Sequence, residues 1–141
     1  MKQNEFDRLF PDGLKPNQII PFVHKGKWAI HELLPIFFFL QEEKKISELK
    51  LLLDMNVKRH KLDLLLFAAN ITPKIQLSNS HMKVTLLENE SWNIGIVGSA
   101  NLNLNPRYEA GFIFTDSATY DYFSHAYTEV FENDSLPYQW E

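Results

Sequence analysis

His81 and Lys83 stand two residues apart in the stretch HMKVTLLENESWNIGIVGSANLNLNPRYE, which runs from His81 to Glu109. Residues two apart on a strand share a face, so an imidazole and an ammonium would work side by side. The pair alone says little in a chain with five histidines. Two further features raise its value. Gly98, Ser99, Ala100 and Asn101 close the next apolar run. Small residues there let backbone N–H groups approach an anion, and serine and asparagine add side-chain donors. Glu109 then supplies a carboxylate able to orient an imidazole.

Lys58, Arg59, His60 and Lys61 form the one dense basic cluster. Such clusters bind phosphates by charge, although the same residues also suit a solvated helix start. The net charge is −4, so no global field draws in nucleic acid, and such a partner depends on this local patch. The absence of cysteine excludes disulfides, thiolate catalysis and cysteine-based zinc sites. Asp, Glu and His show no recognised metal-ligand spacing, and no metal or other cofactor is expected. His31, Glu32 and the Phe37–Phe39 run read as structural, and His125 has no matching partner.

The elements that must hold these residues follow from apolar period and punctuation. Residues 1–18 read as a loose lead-in. Ile19–Val23 reads as a short edge strand, since proline is tolerated there, and His24–Lys27 as a turn. Trp28–Gln41 is apolar at helical spacing and predicts a helix broken near Pro35, followed by a charged stretch to Lys45. A strand is expected from about Glu48 to Asp54. Leu62–Ile71 predicts a helix burying Leu62, Leu65, Leu66 and Ala69, stopped by Thr72-Pro73. Lys74–Leu77 reads as a strand and Ser78–Ser80 as the turn into His81. A hairpin follows, with His81 and Lys83 on its first strand, a polar turn over Glu88–Ser91, and Trp92–Val97 returning. Gly111–Thr115 is another strand, Asp116 or Ser117 caps a last helix over Thr119–Phe131, and Glu132–Glu141 reads as a frayed polar tail. At 141 residues and 45% apolar, the chain fits one domain with its own core. The alternation predicts an α/β or α+β layered fold, a mixed β-sheet flanked by helices. The longest apolar run, Leu33–Leu40, is too short to cross a bilayer. With no apolar signal core at the start, a cytoplasmic protein without a membrane span is expected.

The stretch from His81 to Glu109 resembles the phospholipase D superfamily. His81 and Lys83 match its His-x-Lys pair, Glu88 stands at its acidic position, and Gly98, Ser99 and Asn101 match its glycine-serine-asparagine loop. Glu109 looks like the carboxylate that follows, with Arg107 where the family has asparagine. The chain departs in having Glu for Asp, in a gap from Glu88 to Gly98 three residues longer than usual, and in a shorter front half. The likeness covers about a fifth of the chain and implies one phospholipase-D-like half-unit, truncated at the front.

The resemblance implies a phosphodiesterase, and the small size and basic cluster favour a metal-independent endonuclease. A neutral imidazole attacks the phosphorus and forms a phosphohistidine, splitting one hard step into two. A second imidazole protonates the leaving oxygen and later activates water. Lys83, Ser99 and Asn101 stabilise charge on the non-bridging oxygens, while Glu109 fixes a tautomer. Gly98, Lys58, Arg59 and Lys61 hold the substrate. Because the chain has one motif, the resemblance implies a C2 homodimer in which one His81 attacks and the other protonates. The alternative is a catalytically silent phosphate- or nucleic-acid-binding module that keeps the pocket.

Overall fold

The computed structural model describes residues 12–25, 43, 45–98 and 108–138. Over these residues the chain is α+β, with an antiparallel sheet, a mixed sheet and three helices. In chain order the elements are β1 (Ile19–Lys25), β2 (Leu51–Asp54), α1 (Asn56–His60), α2 (Leu62–Ala69), β3 (Ile75–Ser78), β4 (Val84–Glu88), β5 (Asn93–Gly98), β6 (Tyr108–Phe114), α3 (Ser117–Asn133) and β7 (Leu136–Pro137). The chain divides into two compact units. Described residues 12–25, 83–98 and 108–126 belong to the first, and 43, 45–82 and 127–138 to the second. The helix expected over Trp28–Gln41 lies outside the described residues.

In the first unit, four antiparallel strands take the order β1-β6-β5-β4. β1 alternates as its sequence predicts, with Phe22 buried between exposed Pro21 and Val23. It is an edge strand, where a proline is accommodated. It also runs two residues beyond Val23, so His24 and Lys25 are ladder residues rather than the expected turn. Ile20 and Phe22 pack with Ile94, Ile96, Ile113 and Leu14. Phe114, 1% exposed, lies against bare Gly95, where an added Cβ would run into its ring. The ring also stacks on Phe123 of α3 at 5.4 Å.

Local polar bonds fix the connections of this unit. The Oδ1 of Asn89 accepts the N–H groups of Ser91 and Trp92, each at 2.8 Å, and shapes the hairpin turn. Of the two cap candidates, Asp116 is the one that caps: its Oδ2 accepts from the Thr119 hydroxyl at 2.6 Å and the Thr119 N–H at 3.0 Å. Those bonds, the hydroxyl's first, hold its carboxyl below the ordinary carboxylate range. The lead-in is not loose over its described part. Thr115 donates its hydroxyl to the Lys15 carbonyl at 2.6 Å and accepts the Gln18 N–H at 3.0 Å.

In the second unit, β2 and β3 are parallel and β7 adds to β3 antiparallel. The core gathers Leu65, Ala68, Ile71, Ile75 and Leu77, with Leu51, Leu53 and Tyr138 packed against it. Leu65 and Ala68, three apart, share one helical face. Of the expected stripe, Leu65 is buried and Ala69 packs against the core, whereas Leu62 and Leu66 are 50% and 57% exposed. Buried Thr72 joins two segments, donating to the Leu49 carbonyl at 2.6 Å and accepting the Lys74 N–H of its own turn at 3.1 Å. With its carbonyl taken by Thr72, Leu49 stays out of the ladder, and β2 begins at Leu51 rather than Glu48. Over its described part, to Tyr138, the expected frayed tail is a continuation of structure. α3 reaches Asn133, and Leu136 and Pro137 pair with Leu77 and Gln76.

Candidate functional site

The site residues of the first unit collect at one end of its sheet. Lys83 lies just before β4, and its carbonyl accepts the Gly98 N–H at 3.3 Å. This extends the β4–β5 ladder one pair past Val84 and Val97. Gly98 in turn pairs with Gly111, and Gly111 with Phe22. Directly paired residues share a face, so Lys83, Gly98, Gly111 and Phe22 form one row across four strands. Glu109 is two residues from Gly111 and therefore on that same face, half-buried like Lys83. Strand spacing and rise put the Cα atoms of Lys83 and Glu109 roughly 12 Å apart. A lysine side chain, a phosphate and a carboxylate together span such a gap.

The glycines between them are required by close approach. A Cβ at Gly98 would meet the Ala110 carbonyl oxygen at 2.8 Å, and one at Gly111 the Phe22 ring at 3.0 Å. The row thus has bare backbone between a lysine and a phenylalanine. The reverse face carries an open apolar groove of about 680 Å³, lined in part by Pro21, Val23, Val97, Ala110 and Phe112. Ser99 and Asn101, which follow Gly98 in the chain, lie outside the described residues.

His81 belongs to the second unit and is exposed. The expectation that His81 and Lys83 sit on one strand is corrected here. The Ser80 hydroxyl accepts the Met82 N–H at 3.1 Å, a local bond that competes with ladder pairing. The strand begins only at Val84, so the two-residue period does not put the imidazole and ammonium on one strand face.

In the second unit, the basic cluster and His81 follow the carboxyl ends of two paired strands, β2 and β3. Met55 donates its N–H to the Ser78 carbonyl at 3.0 Å, closing the carboxyl ends of β2 and β3. α1 starts at the next residue, Asn56, whose N–H is held by the Asp54 carboxylate at 2.9 Å. Lys58 and Arg59 lie in α1, and Lys61 follows it. His81 leaves the same end of the parallel pair three residues after Ser78. The carboxyl ends of parallel strands are where open α/β sheets bind ligands. Lys58 is half-buried, whereas Arg59 and Lys61 are exposed.

Glu88 is away from the row. It ends β4 opposite Asn93, five residues and roughly 16 Å along the strand from Lys83. There the Tyr120 hydroxyl donates to its Oε2 at 3.3 Å. Burial, then the Glu88 charge, push the Tyr120 phenol up to about 12. In the ladder of β1 and β6, His24 is the register partner of Glu109.

Among the described residues no three His, Asp or Glu side chains gather as a metal site would need. No helix among them is long and apolar enough to cross a membrane. Comparison with protein-family models finds no match, and comparison with curated proteins finds no similar sequence.

Proposed function

We propose that this chain is a phospholipase-D-like phosphodiesterase that cuts nucleic acid through a phosphohistidine on His81. The observation that carries the reading is the bond from the Gly98 N–H to the Lys83 carbonyl. It joins the lysine of the resemblance to the entry of its glycine-serine loop, with Glu109 on the same sheet face. Lys83, Ser99 and Asn101 take the charge that builds on the phosphoryl oxygens. Gly98 leaves backbone open to the substrate, and Glu109 fixes an imidazole tautomer. Lys58, Arg59 and Lys61 hold the phosphates of a polynucleotide, which is why nucleic acid is preferred to lipid. The resemblance supplies the second imidazole from the His81 of a twofold copy.

One observation favours a binding module instead. The acidic position of the resemblance, Glu88, is engaged by Tyr120 at the other end of the hairpin. A nicking assay on supercoiled DNA and on RNA, run in excess EDTA, separates the two readings. Cleavage that His81→Ala abolishes supports the enzyme. Binding without cleavage by the intact chain supports the module.

A further inference from the structure

The second unit presents leucines to solvent beside its cations. α2 turns Leu65 and Ala68 into the core. Leu62 and Leu66, four apart and so on one stripe, are 50% and 57% exposed, and Phe67 next to them is 41% exposed. Single exposed leucines are ordinary, but large apolar side chains gathered on one short helix mark a contact surface. The cations adjoin them through the chain. Lys61 alone separates α1 from α2. Its N–H bonds back to the Val57 carbonyl at 2.8 Å, and its carbonyl accepts the Leu65 N–H at 3.1 Å. Val57 packs against the core, so Arg59, two residues further round the helix, lies on the opposite side of α1. Arg59, His60 and Lys61 are all exposed and run straight into Leu62. Asp63, also exposed, is the one acid of the two helices.

We infer that this shelf, from Arg59 to Phe67, docks the chain on an anionic membrane surface. Cations alone would suit any polyanion. The leucines separate the candidates. Sugar and phosphate offer an aliphatic side chain nothing to enter. A bilayer interface takes an apolar helix face among its acyl chains and pairs the neighbouring cations with anionic headgroups. A second copy is disfavoured by charge, because a twofold contact here would bring two basic clusters together. The docking is interfacial, since no described helix is long and apolar enough to cross a membrane. It concerns where the chain sits and not which diester it cuts, although it draws on cations that the reading above gives to a polynucleotide.

The test is sedimentation of the full chain with vesicles of phosphatidylcholine, alone or mixed with phosphatidylserine. The chain is expected to go down with the mixed vesicles and to stay in solution with the neutral ones. Added salt should release it. Leu62→Gln with Leu66→Gln keeps good helix formers at two exposed positions and should weaken partition about tenfold or more. Should the leucine pair unsettle the fold, Arg59→Gln with Lys61→Gln gives a second route. Each cation lost near the surface counts about fivefold, so this pair should weaken partition about 25-fold. Asp63→Asn should strengthen it. Equal binding to neutral and anionic vesicles, or binding that survives both paired variants, overturns the docking. So does a chain that no vesicle takes down but that single-stranded DNA retains, undiminished by the leucine pair; the shelf is then a polynucleotide patch. A dimer that the leucine pair splits, again without vesicle binding, gives the shelf to a second copy and overturns it too. No cleavage is read, so failure here leaves the phosphodiesterase proposal standing, and failure of that proposal leaves the docking to be judged on vesicles alone.

Discussion

Tyr120 of α3 donates its hydroxyl to the Oε2 of Glu88 at 3.3 Å, at the far end of β4 from Lys83. That relationship engages Glu88 at the end of the hairpin away from Lys83. In Glu88→Gln the phenol keeps an acceptor but loses a nearby negative charge. Its titration should move down from about 12 yet stay above the ordinary phenol value, because burial is the larger cause. Ultraviolet difference titration reads this directly. Cleavage by Glu88→Gln should match that of the parent, and a loss as deep as that of a Lys83 variant would return Glu88 to the site.

The raised phenols set the alkaline limit of the fold. Tyr120 is shifted up to about 12 and Tyr127 is shifted up as well, by burial first and by Glu48 second. A raised folded value means that the neutral phenol is favoured by folding. The associated stability is whole below about pH 10, the ordinary phenol value, and drains away as pH climbs through the folded values. Denaturant midpoints should hold steady below pH 10 and fall between pH 10 and about 12. Tyr120→Phe removes its share of that slope. A flat profile across this window contradicts the burial of these rings.

Phe114 depends on the missing side chain at Gly95. Gly95→Ala forces the ring off its place against β5 and away from its stack on Phe123. Overpacking of this kind should cost about 1–3 kcal/mol in urea unfolding. Phe114→Leu in the same chain makes room, so the double variant should lose less than the two single changes added together. Strict additivity would deny the contact.

Lys83 gives its backbone carbonyl to the Gly98 N–H, a bond that Lys83→Ala keeps, so the β4–β5 hairpin should persist in that variant. Loss of one charged donor to a developing phosphoryl oxygen should slow turnover about 10²–10³-fold. The loss should lie in kcat more than in KM, because the donor counts most where charge builds. A KM effect alone would make Lys83 a substrate-binding group and no more.

Much of this architecture was legible in local chemistry. The alternation of Ile19–Val23, the Asn89 turn and the Asp116 cap all read directly, since each depends on residues within a few positions. The misplacements share a different cause. β2 starts late because the carbonyl of Leu49 is taken by Thr72, 23 residues on. The side chains ahead of β2 are engaged elsewhere too, Glu48 with Lys74 and Lys50 over the Phe131 ring at 5.7 Å. β7 exists only because β3 offers an edge to Leu136 and Pro137, and nothing in that tail announces it. Apolar period put Leu65 in the buried row of α2 but could not set Leu62 and Leu66 apart from it, because all three are leucines and the choice belongs to the core that Leu65 enters. At the site, the meeting of Lys83 and Gly98 was readable from the hairpin. The Ser80 bond that withdraws His81 from the strand was not, because a serine in that position suits a turn or a strand alike. The register of His24 on Glu109 needed the full pairing of β1 with β6.

The central claim is that His81 becomes phosphorylated during cleavage of a phosphodiester. A labelled diester is mixed with the purified chain in EDTA, quenched in alkali during the first turnover, and the adduct is located by mass spectrometry. The account predicts an acid-labile, alkali-stable phosphoryl group on His81 that forms and decays at the rate of cleavage and is absent from His81→Ala. Cleavage that persists in His81→Ala, or an adduct at any other residue, would contradict it.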